Sequence, residues 1–588
     1  MKEFHDLIED EVKKAYSSAG FDSAFGRVSV SKRPDLCEYQ SNGALAMAKS
    51  LKRNPFEIAV EIAAELEKNP AFKDVSAVKP GFINFNIADS FLSDYLEKML
   101  EDKDRLGVDE FSHEKLFMDY GGPNVAKPLH VGHLRSAVIG ESVKRIARFA
   151  GDTVTSDVHL GDFGLQMGLI IAELKERRPE LIYFDESFEG EYPEEAPFTI
   201  SELEEIYPAA SAKSKEDEDF KEQAMQATLE MQKGRRGYRA LLDQIMKVSV
   251  TDLKRNYERL NVSFDLWKGE SDSEPYIPDM VQDMKDRGFA HESNGALVVD
   301  VAEDTDKKTI PPCMILKSDG AALYDTTDLA TLIWRMKDYD PDEVLYVVDA
   351  RQELHFIQIF RCVRKTGIVP EKTKLSFLGF GTVNGKDGKA LKTRSGGVMR
   401  LEYLIDDIEE AMSKKISENK DLSPEEAEKV CKIVSIAALK YGDLKNEPRK
   451  DYVFDLEKFT SFEGDTGPYI LYTIVRIKSI LRKYAEQGGN VDEASISNAN
   501  SKADKDLMNV LSRFSATVRN SYESLAPNVI AAFVYEVSEA FNHFYHETKI
   551  LTCENEEEKK GYIALCNLTK NVLEKSIDLL GFEAPERM

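Results

Sequence analysis

Two histidines three residues apart, His130 and His133, stand in the stretch "DYGGPNVAKPLHVGHLRSAVIG", with Gly132 between them and Lys127 just upstream. An apolar strand, "EKLFMDYGG", runs into this stretch and ends in Gly121 and Gly122, which permit a tight turn. Pro123 then fixes the chain direction. The spacing of Ile139, Val143, Ile146, Ala147 and Ala150 predicts a helix starting near His133, and Gly151 suits its end. The two imidazoles therefore sit at a helix N-terminus, where free amide groups and the positive end of the dipole favour phosphate. Ring N–H groups there can donate to a phosphoryl oxygen as its charge develops. Gly132, lacking a side chain, leaves backbone against which a flat base such as adenine can lie. The plain alternative is two satisfied loop histidines, and the motif alone does not exclude it.

The surrounding elements narrow the choice. The chain has 588 residues, enough for three or four domains. Residues 1–108 read as a small α+β unit, with helical patterns flanking the alternating strand "GFINFNI". From 109 to 400 helices alternate with short strands, "ALVVDVA", "PPCMILKS", "EVLYVVDA" and "KLSFLGFGTV". That alternation predicts a mainly parallel sheet covered by helices, interrupted by an acidic insertion over about 170–260. After 400 the strand signals vanish. A helical stem over 401–455 leads into an all-helical unit over 456–588, where Ile470, Ile474, Ile477 and Leu481 form one apolar stripe and Arg476 and Lys478 lie off it.

No apolar run is long enough to span a membrane, and the start "MKEFHDLIEDEVKKAY" lacks the apolar centre of a signal peptide. The six cysteines are scattered with no zinc spacing, which points to reduced thiols, a cytoplasmic setting and no zinc. The formal charge of −27 argues against a nucleic-acid partner only weakly, since the acid is concentrated in segments such as "ELEEIYP" and "CENEEEKK". No Walker A sequence occurs, which disfavours a P-loop ATPase.

"PNVAKPLHVGHLRSAVIG" resembles the HIGH signature of class I aminoacyl-tRNA synthetases, and the longer string resembles the arginyl-tRNA synthetase family. Further blocks match that family in order: "CEYQSNGALAMAK", "KPGFINFN", "SDGAALYDTTDLA", "YVVDARQELHF", "KALKTRSGG", "FEGDTGPYILYTIVRIKSIL" and the terminal "LLGFEAPERM". The resemblance spans nearly the whole chain. It implies a multidomain α/β protein: a Rossmann-type catalytic domain, an appended N-terminal tRNA-binding domain and a C-terminal all-α anticodon-binding bundle. It also implies activation of L-arginine by ATP and transfer of arginine to the terminal ribose of tRNA(Arg), in a family that is usually monomeric and usually needs tRNA for activation.

By the same resemblance, Asp119, Gly122, Asn124, His133, Tyr324, Asp328 and Gln352 bind arginine. Tyr324 and Asp328, one helical turn apart, suit a guanidinium, and Asn124 and Gln352 suit the α-amino and carboxylate end. Asp119 stands where the family usually has glutamate, and Gly122 replaces a common serine. His130, Gly132, His133, Lys392 and Arg394 serve ATP, with Mg²⁺ accompanying the phosphates. The second signature departs from the class pattern, because Thr393 takes the place of its last lysine. Lys127 is positioned to supply that charge in its stead, and Lys392 remains a candidate beside it. Tyr472, Arg476 and Met588 are implied at the anticodon, and Tyr39, Gln40 and Asn42 at the tRNA elbow. Other class I specificities fit less well: a cysteinyl enzyme needs zinc ligands, and a glutamyl enzyme begins near the HIGH motif. A tRNA-binding paralogue without chemistry is the remaining alternative, and the intact His130, His133, Asn124 and Asp328 speak against it.

Overall fold

A computed structural model describes residues 1–33, 35–389, 391, 399–418 and 422–588. Its centre is a four-stranded parallel sheet in the order Lys374–Phe380, Glu343–Asp349, Lys115–Tyr120, Thr153–Asp157. The chain enters at the inner strand Lys115–Tyr120, crosses to Thr153–Asp157 on one side, and later returns to Glu343–Asp349 on the other. The carboxyl end of that first strand is thus a topological switch point, where a crevice opens in doubly wound sheets. The helix Val131–Ala150 covers the strand that precedes it, with Leu134, Ala137, Val138, Ile139, Val143 and Ile146 buried.

The strand Thr153–Asp157 escaped the sequence reading, since "TVTSD" carries one aliphatic residue. Two other strands are placed differently than expected. Ala296–Val299 and Cys313–Leu316 do not join the parallel sheet; with Ala290–Ser293 they form a separate antiparallel sheet. The cause is a two-residue turn at Asn294-Gly295, both with positive φ (51° and 81°). Asn-Gly is the dipeptide that favours such a hairpin, and it was legible in "HESNGALV".

The insertion consists of helices over Ile200–Glu216, Glu218–Gln232 and Arg236–Arg259, following Leu165–Arg177. The N-terminal unit is a four-stranded antiparallel sheet, Val28–Val30, Tyr39–Ser41, Phe82–Ile87 and Phe72–Val78, backed by helices Phe4–Ser18, Gly43–Leu51 and Pro55–Leu66. Past the stem helices Leu401–Ile416 and Pro424–Leu444 come Gly467–Glu486, Lys502–Leu511, Phe514–Ser524, Asn528–Glu547 and Glu556–Leu579. Ile470, Ile474, Ile477 and Leu481 are buried, as their spacing requires. "DLMNVLSRFSATVRNSY" is two helices rather than one, broken at Ser512-Arg513. The N-terminal sheet lies against this bundle: Glu38 accepts from Asn509, and Lys505 donates to Ile87 O and pairs with Asp89.

Candidate active site and anticodon-binding surface

The helix Val131–Ala150 begins on a cap made by the two histidines. The His130 Nδ1 accepts from Gly132 N–H at 3.0 Å, and His133 Nδ1 accepts from His130 N–H at 3.1 Å. The rings stack with centroids 3.8 Å apart. A ring nitrogen that accepts a backbone N–H carries no proton, so the remaining proton of each neutral ring sits on Nε2. Burial and then the nearby Lys127 hold the His130 pKa below its ordinary value; burial, His130 and Lys127 hold His133 down to about 3. Two neutral imidazoles thus present Nε2–H donors at a helix start. Gly132 serves this cap before anything else, because a Cβ there would lie 2.7 Å from the His130 ring. Gly132 is itself exposed.

Around this start the chain is tightly threaded. Val131 N–H donates to Met399 O at 3.0 Å and Leu401 N–H to Leu129 O at 2.8 Å, so the segment leaving the second signature returns alongside HVGH. Lys392 and Arg394 themselves lie outside the described residues. The Lys127 ammonium stands 4.2 Å from the centre of the Tyr207 ring. Gly122 is exposed at the end of the strand, and a Cβ there would come within 2.4 Å of the carbonyl oxygens of Val158 and His159. No side chain fits, which is the physical reason that serine is absent.

Beside the helix start is a cavity of about 260 Å³ lined by Asn124, Gln166, Glu270, Tyr324 and Thr327, among others. Tyr324 opens the helix Tyr324–Tyr339 and is 59% exposed. Asp328, one turn on, accepts from His355 Nε2 at 2.6 Å. The other nitrogen of His355 is 3.1 Å from Asp325, an ion pair without hydrogen-bond alignment. Burial opposes charge on His355, but Asp325 and Asp328 outweigh it and raise its pKa to about 9. Glu270 lines the cavity, and Asp328 stands close enough for its charge to be felt there. Burial and then the Asp328 charge push the Glu270 pKa up to about 7. Glu270, Asp328 and the Tyr324 hydroxyl together make an acidic, hydrogen-bonding end suited to a planar cation. Neither Glu270 nor His355 was singled out from sequence. Glu270 is one acid among several in "WKGESDSEP", and only the packing of the short helix Glu270–Tyr276 beside Tyr324–Tyr339 distinguishes it.

Asp119 does not join this pocket. Its carboxylate pairs at 2.7 Å with Arg335, which is fully buried and also meets Asp157 at 3.0 Å. Asp119 and Asp157 are register partners on adjacent strands, so one arginine bridges both under the sheet's carboxyl end, and His159, 3.5 Å from Asp157 with its pKa raised to about 9, supplies a second positive charge. Arg335 engages one of the two Asp119 carboxylate oxygens, Oδ2. Gln352 is exposed at the start of the helix Glu353–Thr366, the same helix that carries His355.

In the C-terminal bundle, Arg476 lies over Tyr472 (4.9 Å) and Tyr545 (5.0 Å) and bonds Asn542. A cavity of about 550 Å³ opens on one side of this pair, lined by Lys483, Tyr545 and His546. A second of about 490 Å³ opens on the other, lined by Tyr469, His546 and Met588. Tyr472, Arg476 and Met588, far apart in sequence, are therefore neighbours. The N-terminal candidates fare less well. Gln40 bonds Asn84 within the sheet at 2.8 Å and Tyr39 stacks on Phe85, so both are held by the domain's own packing; Asn42 is exposed.

Comparison with known proteins agrees along the whole length. The family described as tRNA synthetases class I (R), catalytic domain, matches residues 95–456. The chain belongs to the arginyl-tRNA synthetase family. The arginyl tRNA synthetase N-terminal domain matches residues 2–87 and the DALR anticodon binding domain residues 470–588. Arginine–tRNA ligase of Agathobacter rectalis is 61% identical over 597 residues, covering all of both chains. That of Alkaliphilus oremlandii is 53% identical over 589 residues, covering 100% of this chain and 99% of the other. The fold matches arginyl-tRNA synthetase from Plasmodium falciparum with a TM-score of 0.78 at 24% identity, and that from Thermus thermophilus with 0.76 at 21%, each covering both chains fully. Membership fixes the class I catalytic domain as the unit around the parallel sheet and the helical bundle as an anticodon-binding domain. Among the described residues, no helix is long and apolar enough to cross a membrane, and no group of three His, Cys, Asp or Glu side chains is placed to hold a metal.

Proposed function

We infer that the chain is an arginine–tRNA ligase, activating L-arginine with ATP to arginyl-adenylate and passing the arginyl group to the 3′-terminal ribose of tRNA(Arg). The observation that carries the residue-level reading is the acidic cavity beside the histidine-capped helix start. Its Glu270 and Tyr324, with Asp328 beside it, take the guanidinium; Asn124 and Gln352 take the α-amino and carboxylate end. The arginine carboxylate, already an anion, attacks the α-phosphorus in line, so positioning and charge stabilisation dominate over base catalysis. The Nε2–H groups of His130 and His133 donate to phosphate oxygens, and Lys127 neutralises the departing pyrophosphate. Neutral donors bind a phosphate oxygen without forming an ion pair that must be broken at product release. Magnesium enters as part of the nucleotide substrate, held by phosphate oxygens and water.

In the bundle, Tyr472 and Arg476 stack on and hold anticodon nucleotides, with Met588 closing one cavity. The enzyme acts as a cytoplasmic monomer. ATP–pyrophosphate exchange with each of the twenty amino acids, with and without tRNA(Arg), tests the reading. Exchange should appear with arginine and with tRNA present. Exchange with another amino acid would overturn the specificity, and none at all from folded protein would leave a tRNA-binding module. His133→Ala removes a donor and an anchor of the cap together and should lower exchange about a hundredfold or more.

A further inference from the structure

The insertion contributes one helix, Ile200–Glu216, to the ATP end of the site, and that helix grips both segments flanking it. Tyr207 offers its ring face to the Lys127 ammonium at 4.2 Å. Glu204, one turn earlier, pairs with Arg400 at 2.9 Å. Residues three apart lie on one face of a helix, so a single surface holds a cation from each side. Lys127 precedes the HVGH cap. Arg400 follows the second signature, and its backbone bridges to His130. The gripping face is itself held firmly. Leu203, Ile206 and Ala210 are buried beneath it, and Thr199 and Glu202 close the helix start as a reciprocal cap. Pro208, within the helix, has no N–H, so the Glu204 carbonyl lacks its usual helical donor at the very turn that carries both contacts.

We propose that Tyr207 is a positioning residue for nucleotide activation, holding the Lys127 ammonium where the pyrophosphate leaves, with Glu204 fixing Arg400 on the opposite side. The proposal rests on the reading that Lys127 serves the pyrophosphate. A free lysine has four rotors to immobilise when it binds a phosphate; one parked on an aromatic face has already lost part of that freedom. The benefit therefore falls on ATP and not on arginine.

The test is ATP–pyrophosphate exchange by the full-length protein carrying Y207F, Y207L, Y207Q, K127M, or Y207L with K127M, with tRNA(Arg) present. Y207F keeps the ring face and should match the parent. Y207L should lower kcat/KM for ATP about threefold to tenfold, leaving KM for arginine unchanged. Adding Y207L to K127M should cost nothing more, because the ring then has no ammonium to hold. Parental kinetics in Y207L with K127M impaired would overturn the proposal, as would a double variant whose loss is the product of the single losses. Parental activity in K127M would remove the role of Lys127, and the proposal would fall with it. If thermal melting shows Y207L unfolded, Y207Q, which keeps a helix-forming side chain without a ring face, carries the comparison.

Discussion

Arginine binding by this protein should release a proton, and its affinity should climb with pH through neutrality. The group responsible is Glu270. Partial burial and then the nearby Asp328 charge raise its pKa to about 7. A guanidinium between the two carboxylates reverses that situation, since a cation within hydrogen-bond reach favours the ionised form. The carboxyl whose pKa is raised in the free protein and lowered in the complex must shed its proton on binding, so affinity is lost as pH falls through 7. With one such group, the dissociation constant is multiplied by one plus the ratio of protonated to ionised Glu270. That factor is about 11 at pH 6, about 2 at pH 7 and about 1.1 at pH 8, a span of roughly tenfold. His133, held down to about 3, and His355, raised to about 9, lie outside this window. Isothermal titration calorimetry in buffers of different ionisation enthalpy reads the proton directly, at about half a proton per arginine at pH 7. Glu270→Gln should bind more weakly and with a flat pH profile. Flat affinity from pH 6 to 8 in the parent protein, with no proton released, would refute the placement of Glu270 on the guanidinium.

Three further outcomes follow from the packing. Gly122→Ala forces a methyl to within 2.4 Å of two backbone carbonyls, so exchange activity should fall sharply, with a loss of about 1–3 kcal/mol in chemical denaturation. Lys440 is fully buried where the stem helix meets the insertion and the chain's end, donating to Leu260 O and Gly581 O at 2.7 Å each. Lys440→Met removes the donor to Leu260 O and leaves Gly581 O with only its bond from Asn261, and should destabilise the protein by about 2–4 kcal/mol in urea unfolding. Arg476→Ala removes the cation from between Tyr472 and Tyr545, and should raise KM for tRNA(Arg) about tenfold in aminoacylation with KM for ATP unchanged.

What the sequence made legible follows from how local each signal is. The cap at His130 and His133 is a matter of four consecutive residues, and the structure places it within two residues of the expected helix start. Tyr324 and Asp328 share one turn of one helix, so their pairing was readable too. The ion pair of Asp119 with Arg335 was not legible, because the two lie 216 residues apart and no local pattern announces a buried arginine beneath a sheet. Glu270 was missed for the same reason in reverse: nothing beside it in sequence distinguishes an acid in a pocket from an acid in water. The Asn294-Gly295 hairpin is a different kind of miss, since its signal is entirely local and strong.

On the proposed reading, the two halves of the site solve opposite electrostatic problems. The nucleotide half must attract an anion and then let pyrophosphate go. It uses neutral imidazoles, whose charge is suppressed by burial and by Lys127, and keeps its described cation on an aromatic face. The arginine half must hold a permanent cation in a cavity where two bare carboxylates would repel each other. Here His355 occupies one edge of Asp328, and Glu270 stays partly protonated until the guanidinium arrives. The pocket therefore reaches its full negative charge only when a cation is there to take it. An uncharged analogue of the same shape, with a urea in place of the guanidinium, offers no such exchange: it leaves Glu270 partly protonated and brings Asp328 donors without a charge. Charge, more than fit, should then set the preference for arginine, and Glu270→Gln should narrow the affinity gap between arginine and citrulline. An unchanged gap in that variant would place the discrimination at Asp328 and Tyr324 instead.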